Sequence, residues 1–549
     1  MNIQSMRPHE LVRLVMSVLR EQRIGLGGNS IINYGLWKGV SQRSRQIISD
    51  FSPSEMSVII FGLGKSKIRD TQLLAKSATD VFIPNLNTMT LNDISHVLSG
   101  FARVGVRNDI LFDLASREIA RKIHSNKTTL ADIASIFTSF AKLNYMHPLL
   151  FEVLGKRAVL LIPQEQQQIT TSSSGIELAQ IVHSLARLEH RTDQRLLAVV
   201  ASDICRKIDS LPVFAIASIL DGYNKLGVGN QFLLEVGLDE SFRRRHEFEP
   251  RSTAILLNTI SKSSFTSRSG PCGKTQLLFD YFVSDIAKRG VGKFDATSVT
   301  LIANGIANYC VRNDNNGDQA MKDNIHKVFM SIGDRVGQLA NELSPKGIAR
   351  LVRAFGTVQV RHGQFLYNIP KHVGACINDF SLADIGMIMK GYALLGIRND
   401  ELLTKIPERI VGLLSQGSDS MHLNTGDDSV DSGDVFALTY RGENTYASTC
   451  QAANVRGTVH ILEAYAMLML GDRKVTNLLV QEINRNRHLL SREEILNVIP
   501  KSLNNLLINP PTELRTFLEQ AVSSATCVIE DEGLSEINQL LNRTALSID

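Results

Sequence analysis

The sequence has few cysteines for its length, and none of them are closely spaced. Its 549 residues contain six cysteines, and the two nearest, Cys272 and Cys310, are 38 residues apart. This spacing excludes a CxxC metal or redox motif and a disulfide framework, and it is typical of a protein from a reducing compartment. No apolar run approaches the roughly 18–20 residues that span a membrane, so we expect no membrane insertion.

Signals for β-structure and for enzyme chemistry are also scarce. Fourteen prolines and one tryptophan are few for an all-β protein of this size, which favours a helical chain. The thirteen histidines form no HExxH motif and no Cys/His cluster at metal-ligand spacing. No polar residues converge at catalytic spacing. We therefore expect no enzyme activity, cofactor, bound metal or small-molecule substrate.

The small net charge of +4 conceals an asymmetry along the chain. Residues 1–300 contain 36 Lys and Arg against 27 Asp and Glu, whereas residues 301–549 contain 23 against 28. We expect the basic first part to contact a polyanion and the acidic C-terminal half to contact protein partners.

A short sequence recurs along the chain, most clearly as GFARVGVRND (100–109), GIANYCVRND (305–314) and GYALLGIRND (391–400). We call the bulky second residue of each copy the anchor. Eleven anchors can be aligned, and six of the ten steps between them are 37–39 residues: Leu63, Phe101, Phe140, Leu185, Tyr223, Ile260, Ile306, Phe355, Tyr392, Tyr465 and Leu503. The residue four positions before each anchor is aliphatic, which places it on the same helical face. The residue directly before each anchor is small, so a neighbouring helix can approach closely.

The repeat predicts the fold. A second apolar helix follows each anchor segment, as in 109–123 and 400–414. Neither helix can bury its apolar face alone, so helix pairs must stack on one another. The sequence therefore predicts an all-α fold, a right-handed α-solenoid of about eleven helix-pair repeats of 37–38 residues. An aspartate is expected to cap each second helix, as at Asp109, Asp314 and Asp400.

The chain divides into four predicted segments. Residues 1–51 are rich in Arg and poor in acidic residues, which fits a mitochondrial presequence, an irregular first helix pair, or both. Residues 52–415 form the repeat array. Residues 416–456, rich in Ser, Asp and Gly, are predicted to be a disordered insertion, with a degenerate repeat as the alternative. Residues 457–549 are predicted to form C-terminal helical repeats and a cap.

Six successive repeats carry a basic residue two positions after the anchor: Lys65, Arg103, Lys142, Arg187, Lys225 and Lys262. In a solenoid, equivalent positions form a row on one surface with a spacing of about 10 Å. Such a row of cations can follow a nucleic-acid backbone. The alternative is that each cation only stabilises the C-terminus of its helix, which contributes about 0.3–1 kcal/mol. Polar residues of the same helices are candidate base contacts: Asn92, His96, Ser99, Gln180 and Asn258.

Three segments carry a resemblance to a known group of proteins: LNDISHVLSGFARVGVRND (91–109), TLADIASIFTSFAKL (129–143) and SLADIGMIMKGYALLGIRND (381–400). They resemble the heptatricopeptide and octotricopeptide repeat proteins of organelles. They are also similar in style to the FAST-kinase-like mitochondrial RNA regulators and to a helical-repeat subunit of the kinetoplastid RNA-editing substrate-binding complex. The resemblance covers residues 52–415 well and 458–520 loosely. Many of these relatives carry a C-terminal RAP domain, which nothing in 505–549 resembles.

This resemblance implies a function in organellar RNA metabolism. It suggests binding to single-stranded or ribosomal RNA in the mitochondrial matrix, inside a ribonucleoprotein, for RNA stability, RNA processing or organisation of the mitochondrial ribosome. Without a RAP domain, the implied role is non-catalytic. The alternative is a protein scaffold of the HEAT or armadillo kind, such as a structural subunit of a large mitochondrial assembly without direct RNA contact.

Overall fold

A computed structural model describes most of the chain: residues 3–23, 30–125, 127–165, 174–189, 194–262, 272–312, 319–415 and 445–525. These residues form helices and turns, and no β-strand occurs among them. They divide into two compact units, the first ending at Glu247 and the second beginning at Phe248.

The first unit contains six helix pairs. The first helices of the pairs are α1 (Pro8–Arg23), α3 (Pro53–Lys65), α6 (Leu91–Arg103), α8 (Leu130–Lys142), α10 (Ser174–Arg187) and α12 (Val213–Leu226). The second helices are α2 (Ser30–Gln46), α4 (Thr71–Lys76), α7 (Asp109–Lys122), α9 (Pro148–Glu165), α11 (Gln194–Lys207) and α13 (Gln231–Arg243). A π-helical segment (Ser77–Phe82) and the short α5 (Ile83–Asn85) extend α4. Single 3-10 turns occur at Ile3–Ser5, Ile48–Asp50, Ile208–Ser210 and Arg245–Glu247.

The second unit repeats this organisation. Its first helices are α14 (Pro250–Ile260), α16 (Ala296–Arg312), α18 (Pro345–Val358), α20 (Leu382–Leu394), α22 (Thr445–Met467) and α24 (Ile499–Leu506). Its second helices are α15 (Cys272–Arg289), α17 (Gln319–Leu339), α19 (Gly363–Ala375), α21 (Asp400–Ser415), α23 (Arg473–Arg485) and α25 (Thr512–Ala525). The 3-10 turns lie at Ala340–Glu342, Ile377–Asp379 and Arg487–Leu489, and a π-helical turn, Glu494–Val498, precedes α24.

Within each unit the helices form two layers. From α3 to α12 and from α14 to α24, each first helix packs against the first helix of the next pair. The second helices form the other layer in the same way, as α7 packs on α9, α9 on α11 and α11 on α13. This arrangement is the stacking of an α-solenoid. It confirms the fold class predicted from the repeat.

The anchors form the centre of each layer interface. All eleven anchors are at most 2% exposed, and so are the eleven aliphatic residues four positions earlier. Burying a side chain of this size contributes about 1.5–3 kcal/mol. The recurring sequence pattern is therefore the pattern of the core.

Glycines at the helix contacts let the backbones touch. A Cβ atom on Gly391 of α20 would lie 2.5 Å from the carbonyl oxygen of Val352 on α18. A Cβ atom on Gly64 of α3 would lie 2.7 Å from the Cα atom of Gly100 on α6. Both distances are shorter than van der Waals contact, so these positions accept only glycine without movement of a neighbouring helix. The small residues beside the anchors thus set the helix spacing, as predicted.

The helix ends follow the repeat, with one correction. Gly105, Gly227 and Gly396 adopt positive φ angles of 64–68° at the ends of first helices, the backbone conformation of a glycine C-cap. The N-cap of the second helix is the asparagine of the RND sequence and not the aspartate. Asn108 Oδ1 accepts a hydrogen bond from the backbone N–H of Leu111 at 3.0 Å, and Asn399 plays the same role for α21. The aspartates Asp109 and Asp400 are the first residues of their helices, and Asp314 lies outside the described residues.

The helices can be compared with two of the predicted segments, 1–51 and 416–456. Within the predicted segment 1–51, α1 and α2 form a helix pair, and α1 packs against α3. Helix α22 already begins at Thr445, so residues 445–456 of the predicted insertion belong to a first helix. Residues 416–444 lie outside the described residues. Among the described residues, α20 packs directly on α22.

Candidate nucleic-acid interface

A solvent-facing stripe runs along each first helix of the first unit from α3 to α12. It consists of the residues nine, five and two positions before the anchor and the residue two positions after it, which helical periodicity places on one face. Of these twenty residues, all but Ser99 and Asp221 are exposed or half-exposed. Besides the five basic residues two positions after the anchors, the stripe contains Ser54, Val58, Phe61, Asn92, His96, Ser99, Ala131, Ser135, Thr138, Ile176, Gln180, His183, Phe214, Ser218 and Asp221. We call this surface the first-unit stripe.

The first-unit stripe is strongly basic. It contains five cations and a single carboxylate, Asp221. The five cations are Lys65, Arg103, Lys142, Arg187 and Lys225. In the first unit, the structure therefore places the predicted row on one face of stacked helices. The face carries an excess of positive charge, which attracts polyanions.

The cations of the row differ in exposure. Lys65 and Lys142 are exposed, whereas Arg103 and Arg187 are half-buried. The Nζ atom of Lys65 lies 5.5 Å from the ring centroid of Phe61, a cation–π contact. Arg103 Nε donates a hydrogen bond to Ser99 Oγ at 3.2 Å. Burial lowers the pKa of Arg103 from its usual value, but a guanidinium keeps its charge in proteins.

The last two predicted members of the row are placed differently. The Nζ atom of Lys225 lies 2.9 Å from Asp221 Oδ2, and the Lys225 side chain is only 15% exposed. Its charge is therefore compensated within its own helix. Lys262 belongs to the second unit and is 3% exposed, so it does not extend the surface row. Helix α14 ends at Ile260, which places Lys262 in the following turn and not on the helix.

An aromatic pair lies beside the first cation of the row. The rings of Phe61 on α3 and His96 on α6 stack with centroids 4.4 Å apart. Burial lowers the pKa of His96. The negative charges of Asp93 and Asp132 raise this pKa, but by less than burial lowers it. The imidazole is therefore neutral at pH 7. A flat neutral surface next to an ammonium group is the kind of platform on which unpaired bases stack.

The other candidate base contacts divide into two groups. Asn92 and Gln180 are exposed on the first-unit stripe. Ser99 is buried and accepts the hydrogen bond from Arg103. Asn258 lies in the second unit, where it is 3% exposed and its Oδ1 accepts a hydrogen bond from Asn304 Nδ2 at 2.9 Å. Ser99 and Asn258 are thus engaged inside the protein.

A second group of basic residues was not predicted from the sequence. The equivalent stripe on α18, α20 and α22 contains Lys346, Arg350, Arg353, Lys390 and Arg456. They occupy the positions nine, five and two before the anchor, whereas the predicted row consists only of residues two positions after it. The same alignment of anchors would have found them.

Neither a metal site nor a membrane-spanning helix occurs among the described residues. No group of three or more His, Cys, Asp or Glu side chains in these ranges could hold a metal ion. No helix in the same ranges is long and apolar enough to cross a membrane.

Comparisons with known proteins give one sequence relationship. The family model described as RNA-editing substrate-binding complex 6 protein matches residues 30–217 and, in a second placement, residues 84–267. Together the two placements cover less than half of the chain. No curated protein matches the sequence.

Seventeen chains of solved structures match this chain in a structural comparison. One of them is a chain from the homology model of the full-length AP-3 complex in an intermediate open conformation, at 10% identity and a TM-score of 0.31. The alignment covers 91% of this chain and 94% of that chain, but a TM-score this low does not establish a common fold. The family model, by contrast, shows that residues 30–267 are similar to the RNA-editing substrate-binding complex 6 family. The repeat motifs of the chain also indicate a relationship to RNA-editing helical-repeat proteins.

Proposed function

We propose that this protein is a non-catalytic subunit of a mitochondrial RNA-editing assembly and binds single-stranded RNA along the first-unit stripe. The observation that carries the proposal is the stripe itself, which has five cations and one carboxylate on stacked helices. The whole stripe, from Ser54 to Lys225, lies inside the region similar to the RNA-editing family. This similarity favours an editing assembly in the mitochondrial matrix over the mitochondrial ribosome.

The proposed mechanism separates backbone contacts from base contacts. Lys65, Arg103, Lys142 and Arg187 neutralise phosphates along one RNA strand, because they occupy one position on four adjacent first helices. The Phe61–His96 pair provides a surface for base stacking, and Asn92 provides an amide for hydrogen bonds to base edges. Most of the affinity is then electrostatic and independent of RNA sequence.

One observation favours a second function, in protein scaffolding. Helices α7, α9 and α13 each carry a large, exposed apolar residue at their second position. Ile110 is 67% exposed, Leu149 74% and Phe232 65%. These residues lie on α7, α9 and α13, in the other helix layer from the basic stripe. Exposed apolar groups at equivalent positions are typical of protein interaction surfaces. RNA and protein partners would therefore use different layers of the same unit.

Photo-crosslinking of the full-length chain to single-stranded RNA tests the RNA-binding surface. We expect crosslinked peptides from α3, α6, α8 and α10, and above all from the peptides that contain Phe61 and His96. Peptides from the second helices α7, α9 and α11 serve as the internal comparison. Crosslinks confined to the second helices would place the RNA on the wrong layer and refute the proposed surface.

A further inference from the structure

The second unit has its own basic surface, formed by Lys346, Arg350, Arg353, Lys390 and Arg456. We call these residues the second basic cluster. Residues 301–549 are acidic in total, but the segments 313–318, 416–444 and 526–549 contain 13 of their 28 acidic residues and only two of their 23 basic residues. These segments lie outside the described residues. The described remainder of this half contains 21 basic and 15 acidic residues.

Close helix packing brings the members of the cluster together. A Cβ atom on Gly386 of α20 would lie 2.5 Å from the carbonyl oxygen of Gly457 on α22. Gly391 makes an equally close approach to Val352 of α18. The side chains bridge the same helices, since Lys390 Nζ lies 2.8 Å from Glu463 Oε2 across the α20–α22 contact. The cations of three successive helices therefore share one continuous face.

Acidic residues are fewer than basic residues on this face. The twelve stripe positions of α18, α20 and α22 hold five cations and one acidic residue, Glu463. Glu494, in the π-helical turn before α24, makes a longer contact, with its Oε1 atom 3.8 Å from Arg456 Nε. Arg353 donates hydrogen bonds to Asn304 Oδ1 at 2.9 Å and to Asn308 Oδ1 at 3.1 Å. The face keeps an excess of positive charge.

A histidine lies among these cations. Burial lowers the pKa of His460 well below its usual value, and the nearby charges of Lys390, Arg353 and Arg456 lower it further. The Lys390 side chain is 26% exposed and that of Arg456 is 34% exposed, so an anion from solvent can reach the positive region.

From this arrangement we infer that the second basic cluster is a binding site for the phosphodiester backbone of RNA. Three of its five cations are guanidinium groups, whose planar forks match phosphate oxygens. The inference rests on the proposed RNA-binding function and adds a contact surface in the second unit.

The full-length chain with Lys346, Arg350 and Arg456 replaced by glutamine tests the site. This choice leaves the Lys390–Glu463 ion pair and the Arg353–Asn304 hydrogen bond in place. Each phosphate contact changes the logarithm of the RNA-binding constant by about 0.7 for a tenfold change in salt concentration. One contact therefore changes the binding constant about fivefold between 1 M and 0.1 M salt. We therefore expect RNA affinity at 0.1 M salt to fall about 100-fold and the salt dependence to flatten by about two units.

Two controls separate a site from a structural effect. Lys322 and Lys327 on α17 and Lys474 on α23 are exposed on the second helices of the same unit, and replacing them with glutamine should leave affinity within about twofold. Replacing Arg350 and Arg456 with lysine keeps the charge and should keep the salt dependence. An equal loss in the lysine variant, or wild-type affinity in the triple glutamine variant, would overturn the inference while leaving RNA binding by the first unit intact. A wild-type chain that binds no RNA would overturn both proposals.

Discussion

Replacing Lys65, Arg103, Lys142 and Arg187 together with glutamine is expected to lower the affinity for single-stranded RNA several-hundred-fold at 0.1 M salt. Each lost phosphate contact accounts for about fivefold under these conditions, and the four losses multiply. Glutamine keeps a polar side chain of similar length, so the far-ultraviolet circular dichroism spectrum should not change. Equilibrium binding to a labelled oligonucleotide measures the effect.

The matched control replaces four exposed basic residues of the other helix layer of the same unit with glutamine: Arg117, Lys156, Arg195 and Arg206. The change in net charge is identical, so a general electrostatic effect would weaken both variants equally. We expect the control variant to bind RNA within a few-fold of the wild type. Equal loss in the two variants would mean that RNA binding depends on net charge and not on the first-unit stripe.

A single methyl group at Gly391 is expected to destabilise the second unit strongly. The added Cβ atom would lie 2.5 Å from the carbonyl oxygen of Val352, which belongs to a rigid helix backbone and cannot rotate away. Helices α18 and α20 must then separate, which we expect to cost about 1–3 kcal/mol. In a repeat protein this also weakens the interface that couples neighbouring repeats. Urea unfolding followed by circular dichroism should show a lower midpoint for the Gly391→Ala variant.

Gly412 of α21 offers the control with the opposite sign. No atom lies within 4 Å of a Cβ built at this position, and the residue is helical. Replacing it with alanine should raise the unfolding midpoint slightly, because glycine in a helix costs about 0.5–1 kcal/mol relative to alanine. Destabilisation of both variants to the same extent would contradict the proposed role of close backbone contact at Gly391.

The fold could be predicted from the sequence because burial repeats with the helix pairs. An anchor such as Phe101 and its partner Val97 must both be buried for neighbouring helices to pack, so each repeat keeps apolar residues at these positions. The second helices α7 and α21 begin at the predicted residues, Asp109 and Asp400. The cap itself was assigned to the wrong residue, because the asparagine before each aspartate also has a suitable side chain.

The candidate site was only partly predictable, because surface position depends on where each helix ends. Lys262 has the same distance from its anchor as Lys65, yet α14 stops at Ile260 and the lysine is buried in the turn. Lys225 is on a helix, but its ion pair with Asp221 depends on a side-chain conformation that spacing alone does not fix. The overall acidity of the second half concealed the second basic cluster, since much of that acidity belongs to other segments.

Binding of the wild-type chain to single-stranded RNA across a salt series tests the central claim most directly. Four phosphate contacts at the exposed and half-exposed cations of the first-unit stripe predict that log K falls against log salt with a slope of about −3 or steeper. A slope in that range, flattened in the four-site glutamine variant, would establish the stripe as the RNA surface. Absence of binding at low salt, or a slope near zero, would contradict the account and leave the protein-scaffold function.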